Sequence, residues 1–423
     1  MARLFEYQGK EFLKAGGIAI PVGEVASTAQ EAHEVAFRIG KPVAVKAQVW
    51  VGGRGKAGAV KLANTPEEAE KTSTAILGME LKGFPVRKVL VEEMLNIDKE
   101  YYLGIIADGS RESRCPMLMF STEGGMEIEV VPEDKIFRLK IDYPRGLPFY
   151  DALDLASSAG IPNRLLREMA GIISKAVEVF KKRDCNILEI NPIILTREGK
   201  LVAGDCRMAI DDNSTFRHPE MGITIPREFP WEPTDFDRVG WGIEETDLRG
   251  SGFVMRMSLD ETSSGYIGFH AIGGGAAMIG MDALSRVGLK PANFADTSGN
   301  PVASKIYRVA KVILSQPHIE GYMLAGFMIG NQEQWHHAHA LVKALREELP
   351  KRPGFPCVLL LAGNKEEESL QILKEGLKGL PGLIEIYGSQ HVEDSDFIGK
   401  RMLALIKEYK RKRNQRGFYD ARV

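Results

Sequence analysis

The stretch PVAVKAQVWVGGRGKAGAVKL, Pro42 to Leu62, decides how the first half of the chain is read. Val43, Val45, Ala47 and Val49 alternate with Ala44, Lys46, Gln48 and Trp50, the period of a strand with one buried face. A second run, Ala59 to Ala63, follows a glycine-dense turn, so the pattern predicts a β-hairpin with a flexible tip. Gly52, Gly53, Gly55 and Gly58 strip side chains from that tip and let backbone N–H groups approach an anion, while Lys46, Arg54 and Lys56 bring positive charge. A polyphosphate suits such a turn. A solvated basic turn has the same composition, however, so the motif needs partners elsewhere in the chain.

Around the hairpin the chain alternates helices and strands. Residues 5 to 15 read as a helix stopped by Gly16 and Gly17; Ser27 and Thr28 open a second, which Gly40 ends; a third lies near Thr65 to Ile76. In KVLVEEMLNIDKEYYLGIIADG two apolar runs flank an acidic stretch containing Glu92, Glu93, Asp98 and Glu100, of which Glu93 and Asp98 read as solvated. Further on, Glu189 and Asn191 lie two apart on an apolar strand and so share a face, and Pro192 interrupts regular pairing. With Glu198 and Gly199 as the turn, Asp205 comes back opposite roughly position 192, so Glu189, Asn191 and Asp205 converge on one patch with Arg207 beside it. Two carboxylates and an amide oxygen near a basic loop suit a hydrated magnesium ion that bridges phosphates; a hydrogen-bonded polar strand face is the plainer alternative.

Composition sets limits on the whole. At 423 residues the chain exceeds one hydrophobic core, and 44% hydrophobic residues with a net charge of -2 give no global bias toward nucleic acid or an anionic membrane. Four cysteines, far apart and without CxxC spacing, argue against a disulfide framework or zinc site. MARLFEYQGKEFL lacks the apolar core of a signal peptide and no apolar run reaches the length of a membrane span; a cytoplasmic protein is expected.

Residues 216 to 252 are rich in Pro, Gly and charge, and the expected division is a first domain over 1–240, a linker over 241–255 and a second domain over 256–423. In the second, apolar runs at Tyr266–Ile272, Gly321–Ile329, Pro356–Ala362 and Gly382–Tyr387 alternate with four helical stretches, predicting an α/β domain with a parallel sheet covered on both faces. Ligands of such sheets bind beyond the carboxyl ends of the strands, which here carry GGGA (Gly273–Ala276), GFMIGN (Gly326–Asn331) and AGNKEEE. Close helix–strand packing would equally require the glycines at 273–275. His336, His337 and His339 read as a helix surface, and the basic tail from Lys407 as a solvated helix end.

Taken together, VAVKAQVWVGGRGKAG, VLVEEMLNIDKEYYLG, STEGGMEIE (Ser121–Glu129) and ILEINPII resemble, in the same order, the β subunit of succinyl-CoA synthetases and the related ATP-citrate lyases. The resemblance implies an N-terminal ATP-grasp domain of α+β type followed by a flavodoxin-like CoA-ligase domain. It implies that ATP is held by Lys46, Gly53, Arg54 and Gly55, with Glu92 and Leu95 at the adenine hinge and Glu100 on the ribose or phosphate side. Asn191 and Asp205 would hold Mg2+, and Glu189 and Arg54 would act in catalysis. It further implies a hetero-oligomer with an α-type partner that carries the phosphorylated histidine and most of the CoA site. Gly330 and Asn331 would then face that histidine.

PANFADTSGNP, Pro291 to Pro301, departs from the succinate pattern PANFLDVGGGA, and FMIGNQ departs from FGGIVR. Both are similar to the citrate-activating relatives, which implies citrate as substrate, contacted by Gly274, Gly275, Ser298, Gly330 and Asn331. The resemblance is then to the large, β-type subunit of citryl-CoA synthetases, with succinate or malate ligation, or nucleotide sensing without turnover, as the competing functions. One expected feature is missing: the family's arginine after the third strand of this domain is replaced by VLLLAGNK, leaving Asn364, Lys365 or an arginine from elsewhere to serve.

Overall fold

The expected hairpin is present in the computed structural model, which describes residues 1–110, 114–229, 231–257, 260 and 263–420. The chain forms two compact units, Met1–Glu232 and Pro233–Val423.

In the first unit, helix α1 (Glu6–Ala15) is followed by β1 (Gly23–Ala26), α2 (Ala29–Ile39), β2 (Val43–Ala47), β3 (Val60–Ala63), α3 (Pro66–Leu77) and β4 (Val89–Glu93). Thr28 and Thr65 start α2 and α3, each accepting the N–H three residues on, from Glu31 and Glu68. The four strands make an antiparallel sheet in the order β1-β4-β2-β3, with Val43 opposite Ala63 and Lys46 opposite Val60. Val35, Ala36, Val45, Ala69, Ile76 and Val91 fill the core between this sheet and its helices. The first hairpin strand ends at Ala47 and not at Trp50, because Gln48 turns inward, where its side-chain oxygen accepts from Tyr7 N–H at 3.2 Å.

A larger antiparallel sheet follows, from β5 (Ile97–Asp108), β6 (Cys115–Ser121), β7 (Ile136–Lys140), β8 (Cys185–Thr196), β9 (Leu201–Ala203) and β10 (Arg207–Ile210). Its order is Ala2–Arg3, β10, β8, β5, β6, β7, with β9 also paired to β8. Helices α4 (Phe149–Ser158) and α5 (Asn163–Lys182) supply much of its core, through Leu155, Met169, Ile173, Val177 and Phe180. The registers Ile193–Ala203 and Glu189–Arg207 flank a break at the cis Asn191–Pro192 bond symmetrically, so Asn191 and Asp205 face each other across it, one residue from the expected pairing. Gly9 lets α1 lie against this sheet: a Cβ there would sit 2.6 Å from Cys206 Sγ.

The second unit begins earlier than expected. Residues assigned above to the first domain and the linker form α6 (Asp235–Glu245) and β11 (Phe253–Arg256), and both belong to the second unit. Then come β12 (Tyr266–Ala271), α7 (Gly274–Arg286), β13 (Asn293–Asp296), α8 (Ala303–Leu314), β14 (Gly321–Ile329), α9 (Trp335–Glu348), β15 (Pro356–Gly363), α10 (Glu366–Gly376), β16 (Leu383–Tyr387) and α11 (Phe397–Asp420). The unit β13–α8 is an addition to the four expected repeats. The sheet order is β11-β13-β12-β14-β15-β16, parallel from β13 to β16 with β11 antiparallel at the edge. The parallel part has the order 2-1-3-4-5 of a flavodoxin-like doubly wound sheet. Leu324, Leu359 and Leu361 enter one core with α8, α9 and α10, while Met323, Ala325, Val358 and Leu360 enter the other with α7 and α11. Burial on both faces is the reason these strands read as unbroken apolar runs.

Candidate functional site

In the first unit the basic hairpin and the acidic strands converge on one buried ion cluster. Lys46 Nζ lies 2.5 Å from Glu92 Oε1 and 3.0 Å from Glu6 Oε1, and donates to the carbonyl of Gly204 at 2.7 Å. Arg54 reaches Glu6 Oε2 at 2.7 Å and grips both oxygens of Asp205, at 2.9 and 2.8 Å. Two members were not foreseen. Glu6 and Lys10, one turn apart on α1, are both buried, and Lys10 Nζ bonds Glu6, Glu92 and the carbonyl of Gly204. An EYQGK segment reads as an ordinary amphipathic helix, and the only signal was the charge pair at i and i+4 beside a glycine.

Electrostatics keep Lys46 and Glu6 ionised. Burial opposes the charge on Lys46, but Glu6, Glu92 and Asp205 outweigh it and its pKa is raised. Burial likewise pushes the Glu6 carboxyl upward, and Lys10, Lys46 and Arg54 more than reverse this, holding it well below the usual carboxylate range. The Glu92 carboxylate therefore points into the cluster. Leu95 lies in the short link 94–96 between β4 and β5.

The hairpin tip keeps its glycines for no packing reason: a Cβ at Gly52, Gly53, Gly55 or Gly58 would meet nothing within 4 Å, although Gly53 and Gly58 need their positive φ of 76° and 71°. Lys56 at the tip pairs with Glu127 of the STEGGMEIE loop at 2.7 Å. That loop also closes on the strands below it. Gly124 N–H donates to the carbonyl of Glu100 at 3.1 Å, Gly125 N–H to Asn191 Oδ1 at 2.9 Å, and Asn191 Nδ2 to the carbonyl of Met126. Glu189 sits near Arg207, 3.6 Å away, and its pKa is raised chiefly by burial. Among the described residues no three His, Cys, Asp or Glu side chains form a metal-binding set. The facing Asn191 and Asp205 offer oxygen donors of the kind a magnesium ion takes when water and phosphate complete its shell.

In the second unit Gly274, Gly275, Ser298, Gly330 and Asn331 all fall at carboxyl ends of the adjacent strands β12, β13 and β14. The gap between β12 and β14 is the topological switch point of this sheet, where such folds bind ligands. Asp296 ties the loops together: Oδ1 accepts from Gly273 N–H and Ser298 N–H, and Oδ2 from Ser298 Oγ. Asn300 N–H donates to Gln332 Oε1, joining the turn after β13 to the loop after β14. A Cβ at Gly274, Gly275 or Gly330 would meet nothing within 4 Å, so close helix–strand packing does not account for these glycines. Helix α9 starts at Trp335 and not at Gln332, and Gln332 and Gln334 are buried ahead of it.

His337, expected on a helix surface, is fully buried. Its Nε2 meets Thr297 Oγ1 at 2.9 Å, and the same hydroxyl meets His270 Nε2 at 2.8 Å. Burial lowers the pKa of His270 from 6.5 to about 3, and burial with the neighbouring His270 lowers that of His337 well below its ordinary value. The unfolded chain thus binds protons first, and stability is lost as pH falls from about 6.5 toward 3 through His270, by about 1.4 kcal/mol per pH unit, with His337 acting in the same direction. Urea midpoints of the wild type should drop between pH 7.5 and 5, and His270→Gln should flatten that slope.

The fold and the ion cluster define a class, and comparison with known proteins bears on it directly. The ATP-grasp domain family matches residues 3–195. The chain is 38% identical to the succinate–CoA ligase [GDP-forming] β subunit of Thermus thermophilus, over 88% of this chain and 93% of that one. It is 39% identical to the [ADP-forming] β subunit of Herpetosiphon aurantiacus, over 88% and 94% respectively. Among solved structures, ATP citrate lyase from Methanothrix soehngenii in complex with citrate and coenzyme A superposes with a TM-score of 0.74 at 21% identity, covering 92% of this chain and 96% of that one. That last likeness is one of fold. The protein is an ATP-grasp CoA ligase subunit. More particularly, it belongs to the succinate–CoA ligase β-subunit family. No helix among the described residues is long and apolar enough to cross a membrane.

Proposed function

We propose that this chain is the nucleotide-binding β-type subunit of a citryl-CoA-forming ligase, working with an α-type partner. In the proposed reaction ATP transfers its γ-phosphoryl group to a histidine nitrogen of the partner and ADP departs. A citrate carboxylate takes the phosphoryl group, giving an acyl phosphate, and the CoA thiolate attacks the acyl carbon and releases phosphate. This chain supplies charge and position and no nucleophile, as phosphoryl transfer allows. Lys46 and Arg54 contact the phosphates, with the open Gly53–Gly55 backbone beside them. Because the Glu92 carboxylate is held by two lysines, a hinge contact there falls to backbone atoms of the 92–95 segment. Glu100 lines the nucleotide side. Asn191 and Asp205 are the residues suited to the Mg2+ that accompanies ATP and neutralises phosphate charge, with Glu189 as the neighbouring acid.

The observation that carries the citrate reading is the rim at the switch point. Gly274, Gly275 and Gly330 leave space that no neighbouring side chain explains, and Ser298 and Asn331 stand at the same strand ends. A tricarboxylate needs more donors than succinate does. A second reading, succinate ligation, is favoured by the two relatives named above, which match along nearly their whole length. CoA-dependent ADP release by the reconstituted pair, assayed with citrate, succinate and malate, separates the two. Turnover with citrate alone is expected; turnover with succinate alone sinks the citrate assignment and leaves the ligase class standing.

A further inference from the structure

Whichever acid is used, at least one of its carboxylates is not the one activated and must be recognised by charge. Strand β15 offers no cation: Leu359, Leu360 and Leu361 are fully buried in the two cores, and Lys365 opens α10 with its ammonium 3.9 Å from Glu368. We propose that Arg249 binds the non-reacting carboxylate of the acid substrate, an inference that rests on the second unit being the acid-binding domain.

Arg249 is exposed, and its Nε donates to the carbonyl of Asn300 at 2.9 Å, which fixes the plane of the guanidinium on the turn after β13. Among the described residues no carboxylate pairs with that guanidinium, so both terminal nitrogens are left for a planar, bidentate anion. Its position is the rim of the switch-point crevice. Ser251 N–H donates to the carbonyl of Ser298 at 2.7 Å, and Asn300 reaches Gln332 of the loop after β14. His336, in the first turn of α9, feels the charge: burial, then Arg249, lowers its pKa.

The turn that presents Arg249 is held from below by a lysine that, among the described residues, pairs with no carboxylate. Lys305 is fully buried on α8, and its Nζ donates to the carbonyls of Asp247, at 2.5 Å, and Gly250, at 2.8 Å. Those two carbonyls flank Arg249 in the chain. Gly250, at a φ of 65°, lies so close to Pro301 that a Cβ would stand 2.5 Å from its nitrogen. A buried cation spent on two carbonyls, and a glycine pressed on the 298–301 turn, together place one arginine. Lys305 is therefore a positioning residue, acting through Arg249.

The test uses the reconstituted complex and two readouts: titration of citrate, succinate and malate by calorimetry, and steady-state KM values for acid, ATP and CoA. Arg249→Gln keeps a donor for Asn300 and removes the charge. It should weaken whichever acid the wild type binds by about 10- to 100-fold, with ATP and CoA KM values within twofold, and Arg249→Lys should recover part of the loss. Wild-type preference for succinate over citrate refutes only the citrate assignment, because the arginine is then tested on succinate. Unchanged acid affinity in Arg249→Gln overturns the proposal. So does a parallel rise in all three KM values with a lowered melting temperature, and so does a wild-type complex that binds none of the three acids.

Discussion

Lys46→Met is expected to lower kcat of the reconstituted ligase by about 100- to 1,000-fold, a loss beyond what its cost in stability accounts for. Lys46 is the hairpin cation whose ammonium stands among Glu6, Glu92 and the carbonyl of Gly204, with its side chain largely buried. A charge held in a dry, prearranged setting interacts with developing phosphoryl charge far more strongly than one in water. Methionine preserves the aliphatic volume, and Lys10 and Arg54 remain to neutralise Glu6 and Glu92. Rates at saturating ATP, with the urea midpoint measured alongside, check this. A fall of less than tenfold would remove Lys46 from the phosphate site.

The second large effect falls on stability. Glu6→Ala removes the carboxylate shared by Lys10, Lys46 and Arg54, all with side chains at most 13% exposed. Deleting one partner of a buried ion pair leaves its counter-charges uncompensated, at a cost of about 3–5 kcal/mol. Loss should be smaller in Glu6→Gln, which keeps hydrogen-bonding atoms in place. Equilibrium urea unfolding of this chain alone measures both. A change below about 1 kcal/mol in Glu6→Ala would mean that Glu92 and Asp205 suffice to hold the three cations.

What could be read from the residues, and what could not, divides along sequence distance. The hairpin at 43–63 was legible because its alternation, its glycines and its cations lie within one window. Glu189, Asn191 and Asp205 were legible because a single tight turn, Thr196 to Lys200, sets their register. Glu6 and Lys10 were not, since their burial depends on α1 docking on Cys206 through Gly9, nearly two hundred residues away. The four-residue strand β13 was too short to show a period, and its ends, Asn293 and Asp296, are polar; Asn293 is buried with its amide bonded to the backbone of Phe269. His337 looked solvated because the hydroxyl that receives it, Thr297, lies forty residues upstream. The domain boundary was misplaced for a similar reason: Thr234 and Asp237 form a capping box that starts a helix inside a stretch rich in Pro and charge.

Three cations, Lys10, Lys46 and Arg54, stand against three carboxylates, Glu6, Glu92 and Asp205, so the cluster is electrically balanced within itself. Under the proposed function, phosphates that engage Arg54 would compete with Asp205 for its terminal nitrogen, and the carboxylate so released would be open to a divalent metal. Any charged ligand that enters this cluster must therefore exchange partners within it, since every cation already faces a carboxylate.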